Sequence, residues 1–346
     1  MAFIFERSDP NDRKIRFRLS DTAMTVKESD MFLFGVESEN AYLNRVFWNF
    51  YQDAEASVSL CLQKNKDYLN KVLSSLDDKA KEKAISILEK EKEKELLNKV
   101  EERRAKRGEG KDVLPSVHKE IFTYLTSRAC CEEKYYDNAI PKYFQSVIEE
   151  YARKPYYKRE RIYYQHVFDS VDFAISKQQQ LHIFLANAEK GYDVSPYKIT
   201  TDPLSMHHYL IGLLEPQKLF VCRATNIKDS KDIQNRKIET ILDEDGERFL
   251  ESEIKKKGAP FLSRDTIKAH VYLTEKGIKN YNQMSHLRPR YSEIRDNNIY
   301  VFFCTKDQLE FFFFKFGKDA VIIEPKSLAE EFKRKYEDAA KAYGNI

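Results

Sequence analysis

Short apolar runs bounded by polar residues dominate the middle of the chain, a pattern typical of β-strands. Two such runs, 209–214 and 218–224, are separated by a Glu-Pro-Gln turn. Because proline fixes φ and removes a backbone donor, this pattern predicts two antiparallel strands joined by a hairpin. Earlier runs at 181–186 and 194–199 have the same character. Together the four runs predict a small barrel of short, strongly bent strands.

Near the start of the sequence, residues 14–19 alternate strictly between cations and hydrophobes. On a strand, this alternation places all the cations on one face and all the hydrophobes on the other. The three cations are Lys14, Arg16 and Arg18. A lone strand would leave its backbone groups without hydrogen bonds, so we expect this strand to pair.

Helical spacing of apolar residues follows over 21–34 and 38–54, with a break at Gly35 and with Ser38 as the predicted cap of the second helix. From 77 to 107 the chain is dense in Glu, Lys and Arg, with opposite charges three or four residues apart. This spacing supports an exposed helix that serves as a solvated connector. Residues 113–150 are predicted to form further helices.

Cations and tyrosines are interleaved over residues 151–164. Cations bind phosphates, and each base that stacks on an aromatic ring contributes about 1–3 kcal/mol. The stretch is therefore a candidate site for single-stranded nucleic acid. Its candidate contact residues are Arg153, Lys154, Tyr157, Lys158, Arg159 and Arg161. The alternative is a domain junction in which the tyrosines pack on the barrel and the cations are merely solvated.

A third unit follows a charged connector over residues 229–258. Apolar residues at 299–304 and 309–314 predict paired strands, and Pro325 is placed to open a final helix. Pro is compatible with the first turn of a helix because the N–H that it lacks has no partner inside the helix there.

The composition of the 346 residues predicts two or three folded domains, with 42% hydrophobic and 33% charged residues. The net charge is only +3, so nucleic-acid binding would need local basic patches. The five cysteines show no CxxC spacing, which favours a reducing cytoplasm over disulfides or zinc. No apolar run approaches the length of a membrane span, so we expect no membrane contact.

Sequence motifs of catalysis are missing from the chain: it has no GxSxG, no Walker loop, no HExxH and no dinucleotide fingerprint. The seven histidines are scattered. We therefore expect no enzymatic activity, no metal site and no cofactor.

The order of elements over residues 165–227 resembles the WYL domain family. His208, Tyr209 and Leu210 fall on the Trp-Tyr-Leu signature, and an arginine segment follows from Arg223. His208 stands where the family usually has Trp, and Asn226 where it usually has a second Arg. The resemblance implies an Sm/SH3-like β-barrel that senses a ligand or binds nucleic acid.

On this WYL-like barrel, the candidate residues for ligand or RNA binding are Lys198, His208, Tyr209, Arg223 and Asn226. An arginine can hold phosphate with two hydrogen bonds, and a phenol can stack or donate one. A competing interpretation makes Tyr209 a core residue at the barrel rim. In that interpretation Arg223 is a surface ion-pair partner.

The N-terminal order of strand, helix, glycine turn and helix resembles a ribbon-helix-helix domain. In that family two chains pair their strands into a ribbon that enters the DNA major groove. The resemblance implies that Lys14, Arg16 and Arg18 form the DNA-binding face of a homodimer. A dimerisation ribbon that no longer contacts DNA is the alternative.

Taken as a whole, the chain resembles the WYL accessory proteins encoded beside type VI-D CRISPR effectors. The implied fold is α+β and multidomain: 1–56 ribbon-helix-helix-like, 57–164 a helical charged connector, 165–245 a WYL domain, and 259–346 an α+β extension that dimerises. The implied function is non-catalytic: the protein binds single-stranded RNA and enhances an RNA-guided CRISPR nuclease. The alternative is a ligand-responsive WYL-type transcriptional regulator that binds palindromic DNA through the ribbon-helix-helix domain.

Overall fold

A computed structural model describes residues 13–103, 109–127, 130–186, 188–203, 205–216, 218–228, 233–262 and 266–344. The chain forms two compact units, Met1–His166 and Val167–Ile346. Both combine helices with small sheets, so the fold is mixed α and β. In the part of the chain that the structure describes, no helix combines the length and the apolar character that crossing a membrane requires.

The N-terminal unit is mainly helical. Its helices are α1 (Asp21–Phe34), α2 (Glu39–Phe50), α3 (Val58–Val72), α4 (Asp78–Glu102), α5 (Lys119–Thr126), α6 (Ile140–Ala152) and α7 (Tyr156–Tyr163). Its strands are β1 (Arg13–Lys14), β2 (Phe17–Leu19), β3 (Lys111–Val113) and β4 (Ser116–Val117). Most of these helices agree with the predicted ones, but β3 and β4 lie in a segment that was expected to begin a helical region.

Local chemistry explains why α1 and α2 are separate helices. Ser20 and Ser38 cap them, each side chain accepting a hydrogen bond from the third residue that follows. Gly35 ends α1 with φ of 66°, a conformation that residues with a Cβ rarely adopt. On α2, Phe47 is fully buried and stacks on Phe144 of α6, with 4.5 Å between ring centroids. The predicted break and the predicted Ser38 cap are therefore confirmed.

The cationic strand differs from the expected ribbon. Its alternation holds, because the three cations are exposed and the three hydrophobes are buried. However, β1 pairs with β4 and β2 pairs with β3, both antiparallel and within one chain. Each of these strands therefore has a partner within the chain along one of its two edges. Pairing of this strand between two chains stays a prediction.

The second unit begins with α8 (Gln165–Ser176), whose first residues belong to the N-terminal unit. A five-stranded antiparallel sheet follows, in the order β8-β7-β6-β5-β9. Its members are β5 (Gln179–Phe184), β6 (Gly191–Thr201), β7 (His208–Glu215), β8 (Lys218–Arg223) and β9 (Gln234–Glu239). Helix α9 (Glu244–Lys257) then covers one face, with Leu250 packed against Ile211 and Leu213.

This sheet corrects the expected barrel. Among the described residues no pairing joins the outer strands β8 and β9, so the sheet is open. A 3-10 turn, Ala224–Asn226, carries the chain away from β8, and Ile227 then bridges Leu185 at the end of β5. The chain thus passes from β8, at one edge of the sheet, to the end of β5, which lies beside β9 at the other edge. The segment interpreted as a charged connector, 229–258, contains β9 and α9.

The last part of the second unit has the order βαββαβα. It comprises β10 (Thr266–Leu273), α10 (Glu275–Gln283), β11 (Tyr291–Arg295), β12 (Ile299–Thr305), α11 (Lys306–Phe313), β13 (Ala320–Glu324) and α12 (Lys326–Gly344). The antiparallel sheet order is β11-β12-β10-β13, which is the ferredoxin-like arrangement.

The predicted strand at 309–314 is wrong, because these residues belong mainly to α11. Thr305 caps this helix by accepting a hydrogen bond from the backbone N–H of Gln308 at 3.1 Å. Leu309, Phe312 and Phe313 are buried at helical spacing in the core beneath the sheet. The predictions of β12 and of a final helix after Pro325 are confirmed.

Candidate nucleic-acid interface

The strand that carries the WYL-like signature is covered on both faces. On one face, Tyr209 packs with Ile211, Leu213 and Leu250 in the core beneath α9. Only 8% of Tyr209 is exposed, so its ring cannot stack on a base. This burial corrects the expectation that Tyr209 lines a ligand surface and agrees with the competing interpretation of a core residue.

His208 lies on the opposite face of the same strand because side chains alternate along β7. It is buried, and its ring stands nearly perpendicular to that of Phe168 on α8, with centroids 4.9 Å apart. The expected surface role of His208 is therefore corrected to one in packing. This residue and Tyr209 do not line a common pocket.

Arg223 ends β8 and is exposed. It lies directly across from Tyr209 in the β7–β8 register. Asn226, in the 3-10 turn that follows, is exposed as well, and so is Lys228 just beyond it. We call these three residues the 223–228 surface. Among the described residues, no side chain forms a hydrogen bond or ion pair with Arg223 or Lys228.

Backbone hydrogen bonds fix the 223–228 surface to the sheet. The N–H of Ala186 donates to the carbonyl of Asn226 at 2.8 Å, and the N–H of Lys228 donates to the carbonyl of Phe184 at 2.8 Å. Ala224 and Ile227 are buried beneath the turn. The exposed side chains therefore project from a rigid backbone. Lys228 was missed by sequence analysis, which followed the family resemblance only to Ile227.

Lys198 is engaged elsewhere on the sheet. Its ammonium group forms an ion pair with Glu251 of α9 at 2.5 Å, and the Tyr197 hydroxyl donates to the same carboxylate at 2.7 Å. These two hydrogen bonds hold the pKa of Glu251 below its ordinary value. Burial, followed by the hydrogen bond to Glu251, raises the pKa of Tyr197 to about 12. Lys198 thus anchors α9 to β6 in this structure.

The basic and tyrosine-rich stretch is largely structural. Arg159 donates from Nε and Nη2 to the two oxygens of Asp30, both at 2.8 Å. Asp30 is fully buried and also accepts hydrogen bonds from the hydroxyls of Tyr151 and Tyr42. Burial raises the pKa of both phenols well above the ordinary value. The expected nucleic-acid role of Arg159 is corrected to that of a buried ion-pair partner.

Other tyrosines of this stretch also point inward. Tyr163 stacks on Phe34 with 4.8 Å between centroids, and Tyr164 donates to the carbonyl of Phe34. Tyr157 is half-buried. Tyr163 and Tyr164 therefore pack within the N-terminal unit and offer no open face for stacking, while packing of this stretch on the barrel stays a prediction.

The remaining candidate cations of residues 151–164 differ in their exposure and in their contacts. Lys154 is half-buried and pairs with Glu150 at 3.1 Å, while Arg153 is exposed and donates to the carbonyl of Glu102. Lys158 and Arg161 are exposed on α7. Exposed cations are therefore present on this stretch, but none of its tyrosines has the exposed ring that base stacking needs.

The cations of the first strands mostly bind their own chain. Arg16 forms an ion pair with Asp112 at 2.6 Å, and Arg18 donates to the carbonyls of Glu109 and Gly110. Hydrogen bonding to Arg16 lowers the pKa of Asp112. Lys14 is exposed and has no partner among the described side chains. Arg16 and Arg18 thus contact β3 or the turn before it, whereas Lys14, the third cation of the predicted DNA-binding face, does not.

The architecture defines a class: proteins with a helical N-terminal unit followed by an open five-stranded sheet and a ferredoxin-like sheet. One solved structure, described as the crystal structure of a CRISPR Cas-related protein, has this fold along nearly its whole length. It matches with a TM-score of 0.74 and 22% sequence identity, covering 99% of this chain and 98% of that one. At this identity the likeness establishes the fold.

A second solved structure, the proteasome accessory factor B/C (PafBC) of Arthrobacter aurescens, aligns with 58% of this chain and 32% of its own. Its TM-score of 0.31 at 15% identity is too low to support an argument. No protein-family model matches the sequence. No curated protein matches it either.

Proposed function

We propose that this protein is a non-catalytic, cytoplasmic accessory factor that binds single-stranded RNA and enhances an RNA-guided CRISPR nuclease. The observation that carries the proposal is the 223–228 surface, where exposed Arg223 and Lys228 lie on a rigid turn without partners among the described side chains. The fold shared with a CRISPR Cas-related protein supports a role in a CRISPR system. The resemblance to WYL accessory proteins supports the choice of RNA.

The chemistry of the 223–228 surface favours backbone recognition. The guanidinium of Arg223 can hold one phosphate with two parallel hydrogen bonds, and Lys228 can neutralise a neighbouring phosphate as a point charge. The Asn226 amide can both donate and accept, so it suits a base edge or a 2′-hydroxyl. Because Tyr209 is buried, base stacking on it does not contribute. Binding is therefore expected to depend on salt and only weakly on sequence.

Support for the alternative regulator is weaker. A DNA-binding ribbon needs free cations on its outer face, whereas Arg16 binds Asp112 and Arg18 donates to backbone carbonyls. Lys14 keeps an exposed cation for a possible DNA contact through the ribbon. We therefore place RNA binding first.

Titration of fluorescent single-stranded RNA and of palindromic duplex DNA across a salt series separates the two functions. We expect tighter binding to RNA, with log affinity falling by about 0.7 per phosphate contact for each tenfold rise in salt. Addition of the protein should also raise RNA cleavage by the effector nuclease. Preferential binding to the palindromic duplex, with no effect on the nuclease, would contradict the proposal and support the regulator.

We also propose that the protein is a homodimer assembled through the ferredoxin-like sheet. Strand β13 lies at an edge of that sheet, with Val321 48% and Ile323 40% exposed. Beside it, β13 and α12 border an apolar groove of about 620 Å³ that includes Phe332 and Tyr336. An open edge with apolar side chains is suited to pairing with the same strand of a second copy.

Light scattering on two matched variants tests this dimer. Val321→Glu places a charge on the proposed interface and is expected to yield monomers, because a buried charge without a partner opposes association. Ile294→Glu makes the same kind of change on β11, at the other edge, where Ile294 is 52% exposed. It should remain a dimer. Monomeric wild-type protein, or equal effects of the two substitutions, would contradict this interface.

A further inference from the structure

A polar pocket of about 290 Å³ lies between the C-terminal end of α9, the segment that joins α10 to β11, and the start of α11. Five cations line it: Lys255, Lys256, Lys257, Arg288 and Arg290. No carboxylate is among the lining residues that the structure describes. Three separate segments of the second unit thus bring positive charge to one concave site.

Nearby acids neutralise only part of this charge. Glu253 forms ion pairs with Lys256 at 3.2 Å and with Lys257 at 3.0 Å. Lys255 and Arg290 are exposed, and neither forms an ion pair with any described residue. The negative end of the α9 dipole accounts for lysines in its last turn. It does not account for arginines supplied by another segment.

Arg288 is held in place before any ligand arrives. Its Nη1 donates to the carbonyls of Tyr281 at 3.3 Å and Asn282 at 3.2 Å. The guanidinium also lies over the Tyr281 ring, 5.2 Å from its centroid. Its other N–H groups remain available to the pocket. A fixed guanidinium loses little side-chain entropy when it binds an anion.

Gln308 contributes a buried hydrogen-bond acceptor to the pocket. An anion without a hydrogen to donate cannot satisfy this acceptor. The residue is 1% exposed, and its Nε2 donates to the carbonyl of Leu287 at 3.3 Å. Its Oε1 is buried and accepts no hydrogen bond from any residue that the structure describes. A buried acceptor without a donor is costly, and a donor group of a ligand in the pocket would supply the missing hydrogen bond.

We propose that this pocket binds a ribonucleotide through its phosphate and one of its donor groups. Arg288, Arg290 and Lys255 hold the phosphate, and Gln308 Oε1 accepts a hydrogen bond from a ribose hydroxyl or a base N–H. The same chemistry is present in a free nucleotide and in the 5′-phosphorylated end of an RNA strand. The site is separate from the 223–228 surface and does not depend on it.

Binding of four probes tests the proposal: adenosine 5′-monophosphate, inorganic phosphate, and one short RNA strand with and without a 5′-phosphate. The double variant Lys255→Glu with Arg290→Glu is expected to lose about tenfold or more in affinity for the nucleotide or for the phosphorylated strand. Loss for the nucleotide identifies the free ligand, and loss confined to the phosphorylated strand identifies the RNA end.

The matched control is Lys279→Glu with Lys326→Glu, two exposed lysines of the same unit outside the pocket. It should bind every probe like the wild type. Gln308→Met should remove the preference for nucleotide over inorganic phosphate while leaving the cations in place, with thermal melting used to verify folding. Equal affinities of the wild type and the pocket variant for all probes would overturn the proposal. Equal losses in the control variant, or inorganic phosphate binding as tightly as the nucleotide, would also overturn it.

The proposal for this pocket and the proposal for the 223–228 surface can be refuted separately. Charge reversal of Arg223 and Lys228 should leave nucleotide binding in the pocket unchanged. If it abolished that binding as well, the pocket would not be an independent site, and this inference would be wrong.

Discussion

Replacement of Asp30 by alanine is expected to lower the free energy of unfolding by about 3–5 kcal/mol. Asp30 is fully buried and accepts two hydrogen bonds from Arg159, one from Tyr151 at 2.9 Å and one from Tyr42 at 3.2 Å. Removal of the carboxylate leaves the Arg159 guanidinium without its counter-charge and two phenols without their acceptor. Breaking a buried ion pair from one side is among the most destabilising of single changes.

Urea denaturation of the intact protein measures this effect. Lys158→Ala is the matched control, because Lys158 precedes Arg159 but is exposed, and its unfolding free energy should change by no more than about 0.5 kcal/mol. The double variant Asp30→Leu with Arg159→Met should recover much of the loss, since apolar residues can replace a buried pair. If Asp30→Ala unfolded like Lys158→Ala, the role assigned to Arg159 would be wrong.

Charge reversal at the 223–228 surface is expected to have the largest effect on RNA binding. Hydrogen bonds to charged groups contribute about 1.5–3 kcal/mol each, so Arg223→Glu with Lys228→Glu should weaken single-stranded RNA binding by about 100-fold or more. Arg223→Ala alone should weaken it less. The melting temperature should not change, because both side chains are exposed and lack partners among the described residues.

Fluorescence anisotropy at low salt measures this loss. The variant Lys279→Glu with Lys326→Glu carries the same change in net charge on exposed positions away from this surface. It should keep most of the wild-type affinity. Equal losses in the two variants would mean that net charge alone governs binding, and unchanged affinity in the Arg223 variant would remove that residue from the interface.

Local patterns predicted much of the fold. The alternation over 14–19 predicted correctly which side chains are buried. The Ser38 cap predicted correctly where α2 begins. Pairing partners could not be predicted in the same way. Strands β3 and β4 are only three and two residues long, and they lie far along the chain from β1 and β2. Such short strands carry no periodicity of their own.

The run at 309–314 shows how an unbroken apolar segment misleads. Continuous Phe residues fit a buried strand and a buried helix equally well. The deciding signal was Thr305, which caps the helix, together with the helical spacing of Leu309, Phe312 and Phe313. Helix α9 was missed for the opposite reason, because its charged residues mask a narrow apolar stripe that includes Leu250 and Ile254.

The candidate site was only partly predictable for a physical reason. Composition indicates that cations are present, but long-range contacts decide which of them stay free. Arg159 meets Asp30 from 129 positions away in sequence, and Lys198 meets Glu251 from 53 away. Arg223 and Asn226 remain exposed, and so does Lys228, whose backbone the 3-10 turn carries to β5.

Crosslinking of single-stranded RNA that contains 4-thiouridine, followed by mass spectrometry of the crosslinked peptides, locates the bound strand directly. We expect crosslinks in peptides that include residues 218–228, and their loss in the Arg223→Glu, Lys228→Glu variant. Crosslinks confined to other segments, such as 151–164 or 13–19, with none at 218–228, would contradict it.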